Sequence, residues 1–295
     1  MNKMKILLID SWFHTKNKNA LLSYKNLEIH IVDIYQFRSI DLSVYDVVYN
    51  PSEPMDISIY PNTKFLFGPH FSVFPDSKLN IIKHNNVVYT QPSEWAKQVW
   101  LSYNHGETCR GLKIESLPFG VDTNTFNEIL PLQQRKTVFV YYKQRIPEDI
   151  HFMLNFLQKK QIEFVLFNYQ KRYSEEEYIH CLQQSKYGIW VGRHESQGFA
   201  LEEALSCNVP LFVWDVQSMN QEAGQHYADI PATAIPYWDE RCGEFFYNKQ
   251  ELDETFHLFL SKLDSYRPRE YVLENVSMEK CEAILIDIVN NIHLS

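Results

Sequence analysis

The chain has 295 residues, 45% of them hydrophobic and 22% charged, with a formal net charge of −9, which suits two ordinary globular domains. No stretch approaches the ~20 apolar residues of a membrane span, which argues against an integral membrane segment. Residues 1–118 hold 12 Lys/Arg against 11 Asp/Glu and the remainder 16 against 26, so neither part offers the basic surface that non-specific nucleic-acid binding requires.

The N-terminus, MNKMKILLID, has too short an apolar run for a signal peptide and reads as a first buried strand. Five cysteines (Cys109, Cys181, Cys207, Cys242, Cys281) are scattered without a CxxC. That points to reduced thiols in the cytoplasm rather than a disulfide framework or zinc knuckle.

Strands are predicted at 4–10, 27–34, 45–50, 64–68, 86–90 and 114–118, with a helix over 92–103 carrying Trp95, Val99 and Trp100 at helical spacing. The turn-rich stretch 118–131 reads as an interdomain connection. A second series follows: strand 137–142, a helix at about 148–160, strand 163–168, helix 174–185, strand 187–192, a helix at about 198–207 and strand 210–214. Later pieces are the apolar run ATAIPY (232–237), a helix at about 250–263 and a last one at about 277–292. Strand–connection–strand repetition predicts an α/β protein of two Rossmann-like domains facing each other across a cleft, with ligands bound outside the carboxyl ends of the strands.

The informative stretch is YGIWVGRHESQGFALEEALSCNVPLFVWD, residues 187–215. A strand enters the polar loop Gly192-Arg193-His194-Glu195-Ser196-Gln197, and Gly198 opens a helix. Glycine there lets a ligand approach the backbone. The helix N-terminus supplies N–H donors and about half a positive charge, a ready place for a diphosphate. The helix is expected to end near Cys207, with Asn208 in a left-handed cap before Pro210. Glu195 lies before the helix and Glu203 on its second turn. A carboxylate accepts two hydroxyl hydrogen bonds, the geometry of a sugar diol, so the pair is placed to grip both ends of a sugar nucleotide. Glu202, taken alone, reads as a solvent-facing helix residue.

This segment resembles the E-x7-E signature of retaining GT-B glycosyltransferases of family 4, or group 1. Here it reads Glu195-Ser-Gln-Gly198-Phe199-Ala-Leu-Glu-Glu203. Three further stretches agree in order and spacing: LPFGVDTNTF (117–126) with the family's hinge element, Lys143 and Arg145 with its diphosphate cations, and PREYVLENVSMEKCEAILIDI with its closing helices. The resemblance covers about 115–290 and, before that, the architecture alone. It implies an acceptor-side domain over 1–118, a donor domain over 119–276, and a final helix, 277–295, packing back toward the first.

It also implies roles. Glu203 contacts the ribose and Glu195 the donor sugar. Gln197, Gly198 and Phe199 border the donor, the last two through backbone N–H groups. Lys143 and Arg145 neutralise the departing diphosphate. His70, after the fourth strand, stands where the family places a histidine beside the donor sugar, and it joins Glu195, Lys143 and Arg145 as a catalytic candidate. The implied reaction moves a sugar from a nucleoside-diphosphate sugar to a carbohydrate or other hydroxyl acceptor, with retention, no metal and no further cofactor. The spacing Lys143-Gln-Arg145 is compressed relative to the family, and DSWFHTKN (10–17) replaces its Gly-rich loop.

Lesser candidates are His14, His194 as a loop-orienting residue, and the loop Tyr237-Trp238-Asp239-Glu240-Arg241. That loop either borders the donor or forms a structural corner with Asp and Arg paired. A sugar-nucleotide epimerase or hydrolase, and a degenerate non-catalytic relative, are the competing functions.

Overall fold

The computed structural model describes residues 2–70, 74–75 and 83–294. The chain divides into two compact units, Met1–Gly120 with Met278–Ser295, and Val121–Ser277.

The first unit is built on a six-stranded sheet, parallel throughout, in the order β2-β1-β3-β4-β5-β6. Its strands are β1 (Met4–Ile9), β2 (Leu27–Val32), β3 (Val47–Asn50), β4 (Phe65–Phe67), β5 (Val87–Gln91) and β6 (Ile114–Ser116). Every residue of β3, β4 and β5 is buried. This is why they read as continuous apolar runs and not as alternating ones: helices on a parallel sheet leave neither face to water. Helix α1 (Thr15–Ser23) and the single turn α2 (Ile34–Phe37) fill the first two crossovers. Helix α3 (Glu94–Ser102) buries Ala96, Val99 and Trp100, the stripe expected of a helix lying on a sheet.

The last helix, α9 (Met278–Asn290), belongs to this unit for identifiable reasons. Glu282 is buried and accepts from Asn26 Nδ2 at 3.0 Å. Lys64 and Lys113 donate to the carbonyls of Val289 and Asn291, at 2.9 and 2.8 Å. These are the acceptors that a helix C-terminus leaves unpaired and that cations satisfy best.

The second unit holds a five-stranded parallel sheet in the order β11-β10-β9-β7-β8. The strands are β7 (Thr137–Lys143), β8 (Val165–Asn168), β9 (Ser185–Gly192), β10 (Leu211–Trp214) and β11 (Gly243–Phe246). Between and after them come α4 (Pro147–Lys159), α5 (Glu175–Gln184), α6 (Phe199–Ser206), α7 (Leu252–Ser261) and α8 (Pro268–Asn275). Helix α4 starts with Pro147 and two acidic residues, and α5 with a Ser174–Glu177 capping box, the signals that stop the chain from extending a strand. One core face packs Phe212 against Phe246, Phe256 and Phe259.

Two elements carry no expectation from the sequence, and one expectation is corrected. The apolar run 232–237 contributes no strand, and the fifth strand is Gly243–Phe246. Helix α1 begins inside the segment 10–17. Glu202 does not face solvent but is 1% exposed. Among the described residues no helix is long and apolar enough to cross a membrane.

Candidate functional site

The site of the second unit starts from the register of its two central strands. Lys143, the last residue of β7, lies opposite Gly192, the last of β9. Arg193 N donates to the Lys143 carbonyl at 2.8 Å, and Glu195 N to the Thr233 carbonyl at 3.0 Å. The loop between β9 and α6 is thereby pinned on both sides. Gly198 is the N-cap of α6 with φ +93°, a left-handed conformation that strains any residue with a Cβ. At the other end, Arg135 donates to the Cys207 carbonyl at 2.9 Å and Arg269 to the Ser206 carbonyl at 2.6 Å. Two guanidinium groups thus neutralise the negative end of α6, and Asn208 at φ +58° terminates it.

Around this helix the charged side chains separate by role. Lys143 Nζ is 2.7 Å from a Glu195 carboxylate oxygen and 4.5 Å from the centre of the Tyr169 ring. Both partners of the pair are about 10% exposed (12% and 10%). Glu203 is 3% exposed. The hydroxyl of Tyr173 is pushed up chiefly by burial; the Tyr141 hydroxyl, 3.1 Å away, opposes this, and the Glu203 and Glu195 carboxylates add to it. That single tyrosine therefore lies within electrostatic range of both glutamates. Glu202, about 100° around the helix from Glu203, accepts from Gln197 Nε2 at 3.1 Å and fixes the loop from within.

Arg145 differs from Lys143. It is 3% exposed, donates to Asp149 through two nitrogens at 3.1 and 2.7 Å, and reaches the Gly192 and Trp214 carbonyls at 3.4 and 3.3 Å. Its guanidinium also lies 5.2 Å from the Trp214 ring centre. All of these partners are internal, and they tie together the carboxyl ends of β9 and β10.

Two contributors had no motif to announce them. Asp215, buried after β10, accepts from Ala234 N at 2.6 Å and from Thr233 Oγ1 at 2.9 Å. It shapes the 232–235 strap whose Thr233 carbonyl holds Glu195. Burial pushes its carboxyl up against the downward pull of those hydrogen bonds. Glu222, also buried, stands 3.4 Å from both Arg193 Nε and His194 Nε2. Burial, then Arg193 and Lys143, push His194 down to about 3, so the ring is neutral. Asp239 and Arg241 pair at 2.8 Å, and Arg241 also reaches Glu274 at 2.7 Å, the structural-corner arrangement.

In the first unit His70 follows β4. Its Nε2 is 3.1 Å from Asn17 Nδ2 on α1, and its ring is flanked by Trp12 at 4.8 Å and Phe13 at 5.3 Å, with His14 at 6.4 Å. Burial, and secondarily His14, push His70 down to about 4. At the strand end beside it, buried Asn50 accepts from Ser11 Oγ at 2.9 Å. Among the described residues no group of three or more His, Cys, Asp or Glu side chains is placed to hold a metal ion.

No model of a known protein family matches the sequence, and no curated protein matches it. Solved structures do match over the whole chain. AviGT4, a glycosyltransferase involved in avilamycin A biosynthesis, superposes with a TM-score of 0.59 at 10% identity, covering 98% of each chain. The fold is GT-B. An α-glucosyltransferase in complex with UDP-glucose and DNA containing an abasic site gives 0.56 at 10% identity, over 99% of this chain and 100% of that one. Sucrose-phosphate synthase from Thermosynechococcus elongatus gives 0.55 at 10% identity, over 98% of both. At such identities the likeness is one of GT-B architecture.

Proposed function

We propose that this GT-B protein is a glycosyltransferase that moves a sugar from a nucleoside-diphosphate sugar to a carbohydrate or other hydroxyl acceptor, with retention and without a metal. The observation that carries the reading is the Lys143–Glu195 pair beside the loop that enters α6, with Glu203 on the second turn of that helix and acting on the same Tyr173 as Glu195, while Arg135 and Arg269 neutralise the opposite end. The GT-B neighbours, one described with UDP-glucose, support it.

In this reading the diphosphate lies at the α6 N-terminus with the Gly198 and Phe199 backbone, where the helix field favours negative charge. Glu203 takes the ribose diol. Lys143 exchanges its contact with Glu195 for the diphosphate and stabilises charge as the leaving group departs. Glu195, released, accepts hydroxyls of the donor sugar. Gln197, held by Glu202, sets the loop that carries Glu195. Of the two cations expected at the diphosphate, Lys143 is assigned the contact. Arg145, committed to Asp149 and two carbonyls, holds the strand ends beneath it.

A thermal-shift panel of UDP, GDP, ADP and TDP tests this. One of them should stabilise the protein by RT ln(1+[L]/Kd), about 2.7 kcal/mol at a hundred-fold excess over Kd. Silence across the panel refutes the reading. Glu203→Ala should then raise the Kd for the responding nucleotide, while Glu195→Ala should lower kcat more than it raises Kd. Wild-type transfer by both variants would remove these roles. Turnover that stops in a chelator would overturn metal independence, and a change of product configuration at the anomeric carbon would overturn retention.

A further inference from the structure

The chemistry of the Asn17–His70 contact is one-directional. Asn17 is 4% exposed, and it is its amide nitrogen that lies 3.1 Å from His70 Nε2. An amide nitrogen carries hydrogens and offers no lone pair, so the ring nitrogen facing it has to accept. In a neutral imidazole, an accepting Nε2 leaves the proton on Nδ1. Three surroundings keep the ring in place and uncharged. Its backbone N–H donates to the Pro51 carbonyl at 2.9 Å. Trp12 and Phe13 present aromatic rings to it, and the titratable neighbour, His14, would repel a second positive charge. Nδ1 has no hydrogen-bond partner among the described residues.

We propose that Asn17 is a positioning residue that fixes His70 as the Nδ1–H tautomer, so that the first unit offers its ligand a hydrogen-bond donor at this ring and not a general base. The atom such a donor suits is an uncharged hydroxyl or ring oxygen of a sugar. The tautomer follows from the contact alone; its bearing on turnover rests on the glycosyl-transfer reading above.

Long-range 1H–15N spectra of the labelled full chain at about pH 7 read the tautomer directly, with His70→Gln identifying its signals among the 11 histidines. The expected result is Nδ1 protonated and Nε2 bare, with no titration between about pH 6 and 8. An Nε2–H ring, or a His70 that charges near its ordinary pKa, overturns the proposal. Asn17→Asp places an acceptor-only group against Nε2, so the proton should move there or the ring should become charged. With a responding sugar nucleotide its kcat should fall about ten-fold while the nucleotide Kd stays within about two-fold. Asn17→Leu, which removes the donor without adding charge, should give a mixture of tautomers, and an unchanged Nδ1–H ring in this variant counts against Asn17. An inverted ring with unchanged kcat removes the role in turnover. A wild type that shows the stated tautomer yet transfers no sugar leaves the positioning intact and sinks the glycosyl-transfer reading instead.

Discussion

Arg145→Ala separates a structural cation from a ligand-binding one. The substitution deletes two hydrogen bonds to Asp149, two to the Gly192 and Trp214 carbonyls, and the packing on the Trp214 ring. It leaves the Asp149 carboxylate 9% exposed, with Lys249 Nζ at 3.7 Å as its remaining cation. Removing one member of a buried pair costs about 3–5 kcal/mol because the other charge stays desolvated. Lys249 holds the cost toward the lower figure. For a unit of this size, unfolding in urea has a slope of roughly 2 kcal/mol per molar, so the midpoint of the second unit should fall by about 1.5 M. Urea unfolding followed by circular dichroism and tryptophan fluorescence reads the shift, and nucleotide titration of the folded variant reads the ligand. Arg145→Met combined with Asp149→Leu should recover most of the loss, since neither charge is then stranded. An unchanged midpoint together with lost nucleotide affinity would show that Arg145 meets the diphosphate and that the assignment to Lys143 is wrong.

Gly198→Ala forces a side chain into φ +93° and should cost about 1–2 kcal/mol, with weaker nucleotide binding; an unaltered Kd would separate the loop from the donor. His194, ordinarily near 6.5 and held at about 3 in the fold, makes the unfolded chain the better proton acceptor below 6.5. Its contribution is therefore fully kept above that pH and drains away as pH falls toward 3, at roughly 1.4 kcal/mol per pH unit. His194→Gln should flatten the acid limb of a stability–pH curve by that slope, and an unchanged limb would show that His194 protonates in the folded state. Asp215→Ala unpairs the Ala234 N–H and the Thr233 hydroxyl, so it should destabilise by about 1–3 kcal/mol and lower kcat through the Glu195 strap. Loss of stability with normal turnover would confine Asp215 to folding.

The sequence determined what depends on neighbours along the chain. Apolar runs bounded by polar residues specified the parallel strands, because strands covered on both faces need nothing else. Gly198, Asn208 and Pro210 specified where α6 begins and ends, because left-handed caps are a property of one or two residues. Glu195 and Glu203, eight positions apart on a loop and its helix, came with the same local geometry.

Side-chain commitments between distant segments were decided by the tertiary structure. Glu202 and Glu203 are neighbours of one type, yet only packing shows that Glu202 is buried on Gln197 while Glu203 falls in range of Tyr173. Lys143 and Arg145 look interchangeable two residues apart. The strand alternation leaves Lys143 on Glu195, and the turn after β7 drives Arg145 inward onto Asp149. Asp215 and Thr233 are 18 residues apart, and Asn17 and His70 53. No periodicity links such pairs, since the contacts exist only once the folded sheet has brought a strand end beside a distant helix or loop.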